Sequence, residues 1–175
     1  MMISEKVNAA LNEQVTNELG ASQTYLAMSC YLKDLGLNVL AAFFRKQTEE
    51  ERMHGLKILD YVLDVGAKAR IGALAEPPMH YPSVAATVEA ALNHELKVTR
   101  QIHDLVSLAE QERDWSTRSF LQWYVDEQVE EVSTMTQLLQ LARLAGDDLL
   151  KLELHLDKFG MGESQEAEAG KGDEE

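Results

Sequence analysis

Four long stretches of the chain repeat apolar residues at helical spacing, and no proline interrupts any of them. All three prolines fall within "AEPPMHYP", and most of the ten glycines lie at segment ends or near the C-terminus. Because proline lacks an amide hydrogen and clashes with the preceding turn, stretches without it can form long helices. The pattern predicts an all-α fold, with helices over residues 4–35, 37–65, 83–112 and 114–146 and a short fifth helix over 147–159.

The connection between the second and third helices, residues 66–82, has no clear helical period and is long enough to run the length of a bundle. A short turn makes neighbouring helices antiparallel, whereas a crossover as long as a helix returns the chain to its starting end. These connections predict a four-helix bundle whose second and third helices are parallel. We expect one domain over residues 1–160, followed by a polar, acidic and disordered tail over 161–175.

The net charge limits the partners that the chain can bind. With 30 acidic and 16 basic residues, its formal net charge of -14 repels nucleic acid and anionic membranes and attracts cations. The single cysteine, Cys30, cannot form an intrachain disulfide, "MMISEKVNAA" lacks the features of a signal peptide, and no apolar run reaches the roughly 18 residues of a membrane span. These features predict a soluble, cytoplasmic protein that binds neither nucleic acid nor membrane.

The apolar face of each long predicted helix is interrupted by one glutamate near the helix midpoint. These residues are Glu18, Glu51, Glu95 and Glu131. Midpoints of packed helices lie at one level whichever way the helices run, so we expect the four carboxyl groups to converge in the core. Glutamate is almost never fully buried without a partner, and neither lysine nor arginine occupies the predicted inner positions. The compensating charge must come from protons or bound cations, and two divalent ions match four carboxylates.

His54 follows Glu51 by three positions, so both side chains lie on one helix face and can reach the same ion. A mixed set of carboxylate oxygens and an imidazole nitrogen suits iron or manganese. The absence of cysteine from these positions disfavours a closed structural zinc site. The sequence therefore predicts a metal centre of two ions in the bundle core.

Three further acids lie one helical step from the inward-facing line: Glu50, Glu127 and Glu130. They are consistent with a solvated acidic flank or with an additional metal site, and both interpretations stay open. The other histidines lack a comparable acid stripe, so we expect surface or packing positions for His80, His94, His103 and His155. Gly20 lies inside the first predicted helix at a cost of ~1 kcal/mol relative to alanine, for which we expect close packing against a neighbour.

Four stretches carry a specific family resemblance: "LNEQVTNELGASQTYLAMS", "EEERMHGLKILDYV", "NHELKVTRQI" and "FLQWYVDEQVEE". By their order and spacing, the chain resembles the non-haem bacterial ferritins up to about Phe159. Ferritin-like di-iron proteins are known for this combination of four helices, inward glutamates and a Glu-x-x-His pair. The resemblance implies a homo-oligomeric shell of about 24 subunits that oxidises Fe(II) with O2 at a di-iron ferroxidase centre and stores ferric mineral in its cavity.

Position by position, the resemblance also implies the ligands of two irons. Glu18, Glu51 and His54 would hold one iron. Glu51 would bridge to a second iron, which Glu95 and Glu131 would hold. Iron would thus be bound by residues from all four long helices of one subunit.

Further residues around the two irons follow from the same resemblance. Gln128 would lie beside the second iron, and Tyr25 matches the family's tyrosine next to the centre. Trp123 matches a nearby aromatic residue that can supply an electron during the reduction of oxygen. A neighbouring third iron site, found in bacterial members, would be formed by Glu50, Glu127, Glu130 and Glu131.

No haem is expected. Bacterioferritins are similar to this chain but have a second Glu-x-x-His on the fourth helix, where this sequence has "QVEE". They ligate haem with a methionine directly after the bridging glutamate of the second helix. Here that position is Arg52, and Met53 lies about 100° further round the helix. Mini-ferritins place their ligands across a subunit interface and lack the pattern of four acid-bearing helices.

The predicted function is iron storage by a ferroxidase, and two alternatives stay open. The first is a di-iron oxidase or peroxidase that acts on a small substrate or a reactive oxygen species. Such an enzyme needs a substrate cleft, for which the bulky side chains on the inner faces leave no obvious space. The second is a non-catalytic metal buffer, which would bind metal without consuming oxygen.

Overall fold

The computed structural model describes residues 2–160 of the chain, and within them it contains five α-helices. Their bounds are α1 Glu5–Asp34, α2 Asn38–Asp64, α3 Val84–Gln111, α4 Trp115–Ala145 and α5 Leu149–Lys158. This arrangement confirms the predicted all-α class, the four long helices and the short fifth one. The expected tail, 161–175, lies outside the described residues, and the single domain over 1–160 stays a prediction.

In three helices the first residue of the predicted range acts as the cap, and the helix begins one residue later. The hydroxyl of Ser4 accepts a hydrogen bond from the Val7 amide at 3.3 Å, and Ser83 caps α3 in the same way at 3.1 Å. Asp114 Oδ1 accepts from the backbone three residues later at 2.9 Å. These side chains satisfy amides that have no partner within the helix. The fifth helix starts two residues after the expected Asp147, because Asp148 acts as its cap.

Glycines end the first two helices. Gly36 and Gly66 have φ angles of 81° and 72°, in the left-handed region that glycine adopts without steric cost. The turn after α1 is therefore short, and α1 packs against α2 along its length. The segment 67–82 contains no helix or strand. It lies beside α1, where Asn12 Nδ2 donates a hydrogen bond to the Lys68 carbonyl oxygen at 3.0 Å.

The core consists of two apolar clusters separated by a polar layer. The first cluster packs Tyr25 and Phe44 with residues of α3, α4 and α5, and the second packs Leu11 and Ile58 with residues of α3 and α4. The central glutamates belong to neither cluster. The apolar halves thus hold the four helices in register and fix the polar layer between them.

The expectation of close packing at Gly20 is wrong. A Cβ atom built on Gly20 has no neighbouring heavy atom within 4 Å in the part of the chain that the structure describes. Close packing occurs instead at Gly55 of α2, where a Cβ would lie 3.3 Å from the Cβ of Glu18 and 3.4 Å from Leu19 Cδ2. Gly55 therefore allows α1 and α2 to approach each other beside the predicted metal ligands.

The fifth helix is attached to the bundle by its apolar side and by one carboxylate. Leu152 and Leu156 are buried in the first cluster. Glu153 accepts hydrogen bonds from the amides of Val39 at 2.8 Å and Leu40 at 2.9 Å, at the start of α2. Among the helices of residues 2–160, none combines the length and apolar composition that crossing a membrane requires.

Candidate metal centre

The four central glutamates converge in the polar layer, one from each long helix. The relative exposures of Glu18, Glu51, Glu95 and Glu131 are 1%, 1%, 0% and 6%. His54 is 5% exposed on the same face of α2 as Glu51. The predicted convergence is therefore present, and it places four acids where water cannot solvate them.

Several carboxylate oxygens in this layer have no hydrogen-bond partner in the part of the chain that the structure describes. Among those residues, both oxygens of Glu51 and Oε2 of Glu18 are fully enclosed and unpaired. The other oxygen of Glu18 accepts a hydrogen bond from Gln14 Nε2 at 2.8 Å. Because a buried polar atom without a partner is costly, these oxygens indicate a site built for a proton or a cation.

Burial raises the pKa of every central carboxyl group. For Glu18 the charge of Glu51 adds to the effect of burial, and for Glu51 the charge of Glu95 does so. Burial also raises the pKa of Glu95, although the hydrogen bond from Tyr25 lowers it. The pKa of Glu131 rises to about 8, because of burial and then the charge of Glu95. Without metal the layer therefore takes up protons at neutral pH.

Two groups of side chains could each hold a metal ion. In the first, ligand atoms of Glu18, Glu51 and His54 lie within 4.8 Å of one another. In the second, the same applies to His54, Glu127 and Glu131. His54 belongs to both groups, so its imidazole lies between two candidate positions. Carboxylate oxygens with one imidazole nitrogen are a donor set that fits Fe(II), Mn(II) or Zn(II).

Glu95 lies on the side of the layer that Tyr25 occupies. The Tyr25 hydroxyl donates to Glu95 Oε1, and Gln128 Nε2 lies 3.4 Å from Glu95 Oε2. The Thr99 hydroxyl is 2.8 Å from Gln128 Oε1, which fixes the orientation of the amide. Burial and the neighbouring charge of Glu95 raise the pKa of Tyr25, so its phenol stays protonated and can act as a donor.

The flanking acids differ in position. Glu127 is half-buried and joins the second group, whereas Glu130 is exposed. Glu50 is half-buried, accepts a hydrogen bond from Gln47 and lies 3.3 Å from Lys46 Nζ. Within residues 2–160, neither Glu50 nor Glu130 joins a group of three acid or histidine ligand atoms within 4.8 Å of one another. The predicted third site is thus brought together only in part.

Aromatic side chains form one wall of the centre. The indole of Trp123 packs edge-on against the His54 ring, with 5.3 Å between centroids. Lys57 Nζ lies over the same indole, 3.2 Å from its centroid. The Tyr124 hydroxyl donates to the carbonyl oxygen of His54 at 2.8 Å. These contacts fix the position of His54, and Trp123, at 37% exposure, connects the centre to the surface.

The remaining histidines stand apart from the two groups. His94 packs edge-on against Tyr25 at 5.8 Å between ring centroids, and burial followed by the charge of Lys97 lowers its pKa to about 4. In the part of the chain that the structure describes, no metal-binding group includes His80, His94, His103 or His155.

Sequence reasoning missed three supporting residues: Gln14, Lys57 and Thr99. Gln14 could have been found, because it precedes Glu18 by four positions and such pairs meet on a helix surface. Lys57 also lies one turn from a predicted ligand, His54, but its position over an indole of another helix depends on tertiary packing. Thr99 follows Glu95 by four positions, and its contact with Gln128 likewise joins two helices.

Comparisons with known proteins agree with the fold. A family model described as a ferritin-like domain matches residues 8–145. The bacterial non-heme ferritin of Staphylococcus aureus strain USA300 is 37% identical over 159 residues, covering 91% of this chain and 96% of the relative. That of Staphylococcus haemolyticus is 37% identical over 154 residues, covering 88% of this chain and 93% of the relative.

Solved structures give the same result. A ferritin from the hyperthermophilic archaeon Archaeoglobus fulgidus, described as a novel open pore ferritin, has a TM-score of 0.89 and 40% identity, covering 94% of this chain and 99% of that one. A humanized archaeal ferritin has a TM-score of 0.89 and 36% identity, covering 93% and 99%. The chain therefore belongs to the ferritin family and is similar to its bacterial non-haem members, which supports a role in iron storage.

Proposed function

We propose that this protein stores iron by oxidising it: Fe(II) binds in the polar layer, O2 oxidises it there, and the ferric product accumulates as mineral inside a shell of identical subunits. Iron is the substrate and the cargo of this reaction. The observation that carries the proposal is the set of enclosed, unpaired carboxylate oxygens of Glu18 and Glu51 beside the imidazole of His54. Apolar packing cannot account for carboxyl oxygens that are enclosed away from solvent and have no hydrogen-bond partner among the described residues.

The proposed ligands divide between two ions. Glu18, Glu51 and His54 hold the first, and Glu51 bridges to a second held by Glu95 and Glu131. Hard carboxylate oxygens favour Fe(III) over Fe(II), so this donor set makes loss of an electron to oxygen easier. The single nitrogen ligand distinguishes the two ions. Binding of each ion displaces protons from these acids, because their raised pKa values favour the protonated form when no metal is bound.

Neighbouring residues have supporting roles in the proposal. Tyr25 and Gln128 orient Glu95 through their contacts with its two oxygens. Trp123, packed against His54, supplies an electron during oxygen reduction. The acids Glu50, Glu127 and Glu130, with Glu131, form a third iron site. Haem has no role, because Arg52 occupies the position of the haem-binding methionine.

The proposal extends to assembly and location. A closed shell needs many copies of one chain, and cyclic or higher symmetry is the rule for homo-oligomers. We propose a shell of about 24 subunits. A reducing cytoplasm is consistent with a sequence whose single cysteine, Cys30, has no intrachain partner.

Stopped-flow mixing of anaerobic Fe(II)-loaded protein with oxygen tests the centre. We expect a rapid oxidation phase in the parent chain, at least tenfold slower in Glu51→Ala and His54→Ala because each loses a ligand of the first ion. The matched controls are Glu49→Ala, an exposed acid of the same helix, and His103→Ala, an exposed histidine. Both controls should retain the rapid phase.

Two results would overturn the proposal. If Glu51→Ala and His54→Ala oxidise iron as fast as the parent chain, the centre lies elsewhere. If the parent binds iron without consuming oxygen, the protein is a metal buffer.

A di-iron oxidase would need a substrate cavity, yet five described cavities, of about 210 to 470 Å³, are lined by residues outside the central ligand set.

A further inference from the structure

The ammonium group of Lys57 lies over the indole ring of Trp123. Its Nζ atom is 3.2 Å from the centroid of that ring and 5.9 Å from the centroid of the Tyr124 ring. Lys57 belongs to α2 and both aromatic residues belong to α4, so the contact joins two helices. The face of an aromatic ring attracts a cation, because the ring carries negative charge density there. The contact therefore places one positive charge on the aromatic wall of the centre.

Lys57 has acids in its neighbourhood but forms an ion pair with none of them. Burial lowers the pKa of Lys57, and the charge of Glu127 raises it. Asp60 follows Lys57 by three positions, a spacing at which side chains can meet on a helix surface. Among the described residues, however, no carboxylate oxygen lies within 4.0 Å of the Lys57 ammonium. The flexible side chain is thus placed on the indole rather than on an acid.

The indole of Trp123 lies between a proposed iron ligand and solvent. Its ring packs edge-on against the His54 ring, with 5.3 Å between centroids and 74° between the planes. Its exposed fraction is 37%, so water can reach part of the ring. A group in this position can exchange an electron with the centre and a proton with solvent.

Tyr124 is the other aromatic residue of this wall, and its hydroxyl group is differently placed. The Tyr124 ring is 2% exposed, and its hydroxyl donates to the backbone carbonyl oxygen of His54 at 2.8 Å. A phenol that loses an electron must also lose its proton, and a backbone carbonyl oxygen does not accept that proton. An indole can lose an electron first and release its N–H proton to water afterwards. Trp123 is therefore the residue of this pair that is more easily oxidised.

We propose that Lys57 controls the oxidation of Trp123: the ammonium group over the ring raises the one-electron potential of the indole, so that Trp123 gives up an electron only to a strong oxidant. The neutral ring attracts the ammonium group, whereas the positively charged ring left by the loss of an electron repels it. Lys57 touches no proposed iron ligand in this role and acts through Trp123.

This inference rests on the proposed function for the identity of the oxidant, which is O2 during its reduction at the centre. In that step the indole loses one electron to the oxygen being reduced, and its N–H proton passes to solvent. A later Fe(II) returns the electron and becomes Fe(III), and the indole regains a proton from water. By making the first of these steps harder, Lys57 keeps Fe(II) as the main source of electrons.

Photochemical oxidation of the metal-free protein tests the inference without iron. The chain has two tryptophans, so every variant also carries Trp115→Phe, which leaves Trp123 as the only indole. Photogenerated ruthenium(III) tris(bipyridine) takes one electron from the indole, and transient absorption follows the indole radical. Lys57→Met keeps an unbranched side chain and removes the charge. We expect the radical to form about fivefold faster in Lys57→Met than in the parent with Trp115→Phe.

Two matched variants separate the contact from a general effect of charge. Lys57→Arg keeps a positive charge over the ring and should be oxidised at the rate of the parent. Arg45→Met removes an exposed cation from the same helix and should also match the parent. Helical content and quenching of Trp123 fluorescence by acrylamide report the fold and the accessibility of the indole. If Lys57→Met does not fold, Lys57→Gln takes its place.

Four outcomes would overturn the inference: equal rates in Lys57→Met and the parent, the same acceleration in Lys57→Arg, the same acceleration in Arg45→Met, or a faster rate that acrylamide quenching attributes to a more accessible indole. The experiment uses no iron, so it is separate from the test of the centre. If Glu51→Ala oxidises iron normally, the proposed function fails, and the rates of indole oxidation are unaffected. Normal iron oxidation with equal indole rates would reject only the role of Lys57.

Discussion

Glu131 is the least buried of the four central glutamates, and burial with the charge of Glu95 raises its pKa to about 8 from a reference value of 4.5. At a pH between 4.5 and about 8, the Glu131 carboxyl group keeps a proton in the metal-free folded protein and loses it in the unfolded chain. Its contribution to stability is complete below pH 4.5 and is lost as the pH rises through about 8. Acid therefore stabilises this part of the empty site.

We expect the unfolding midpoint of the metal-free protein to fall as the pH rises from about 5 to about 8. In Glu131→Gln, which cannot titrate, this decrease should be smaller. Glu130→Gln removes an exposed glutamate next to it and should keep the parent slope. Circular dichroism during thermal unfolding at several pH values measures the effect. Equal slopes for Glu131→Gln and the parent would contradict it.

Gly20 and Gly55 are both inside helices but have opposite surroundings. Around Gly20 a Cβ meets open space, so Gly20→Ala should gain roughly 1 kcal/mol from restricting the unfolded chain and improving helix propensity. At Gly55 a Cβ would meet Glu18 and Leu19 at 3.3 and 3.4 Å, so Gly55→Ala should gain nothing or lose stability. Denaturant unfolding of both variants tests this difference, and equal gains would refute it.

At the scale of the helices, caps show what the sequence could and could not predict. Ser4, Ser83 and Asp114 each bind an amide three residues ahead, so a local pattern was sufficient. The start of α2 has no side-chain cap of its own at Leu37. Its amides are bound by Glu153, which lies 114 residues from Val39 in the sequence, and no local pattern indicates such a partner.

Glu153 should therefore stabilise both α2 and the attachment of α5. Hydrogen bonds to a charged group contribute about 1.5 to 3 kcal/mol, and a carboxylate at a helix N-terminus also interacts favourably with the helix dipole. We expect Glu153→Ala to lose about 2 kcal/mol of stability and to speed hydrogen exchange at the Val39 and Leu40 amides. Asp157→Ala, an exposed acid of the same helix, should change neither. Unchanged exchange at both amides in Glu153→Ala would contradict this role.

At the scale of the whole chain, the convergence of four acids could be predicted because it depends on helix periodicity and on midpoints sharing one level. The pairing of Tyr25 with Glu95, and of Lys57 with Trp123, could not. Those contacts join side chains of different helices, and their geometry depends on how far each helix is rotated about its axis. The periodicity of apolar residues predicts which face of a helix is buried. It does not predict the rotation of the helix about its axis precisely enough to say which individual side chains meet.

Assembly also belongs to this scale. Light scattering coupled to gel filtration should give a mass of about 24 times the 19.6 kDa of one chain. A control with Glu51→Ala should elute at the same volume, because that residue lies inside the bundle at 1% exposure. A parent mass of one or two chains would reject the shell and, with it, storage of mineral in a cavity.

The acidic layer divides the hydrophobic interior into two halves. Between these halves a few hydrogen bonds join side chains of different helices, such as those from Tyr25 and Gln128 to Glu95. The ligands proposed for the two ions come from all four long helices, so under that proposal we expect metal occupancy and rigidity to change together. The subunit should then be less rigid at the central layer when it has lost its metal. We expect this metal-free state to bind the next ion most readily.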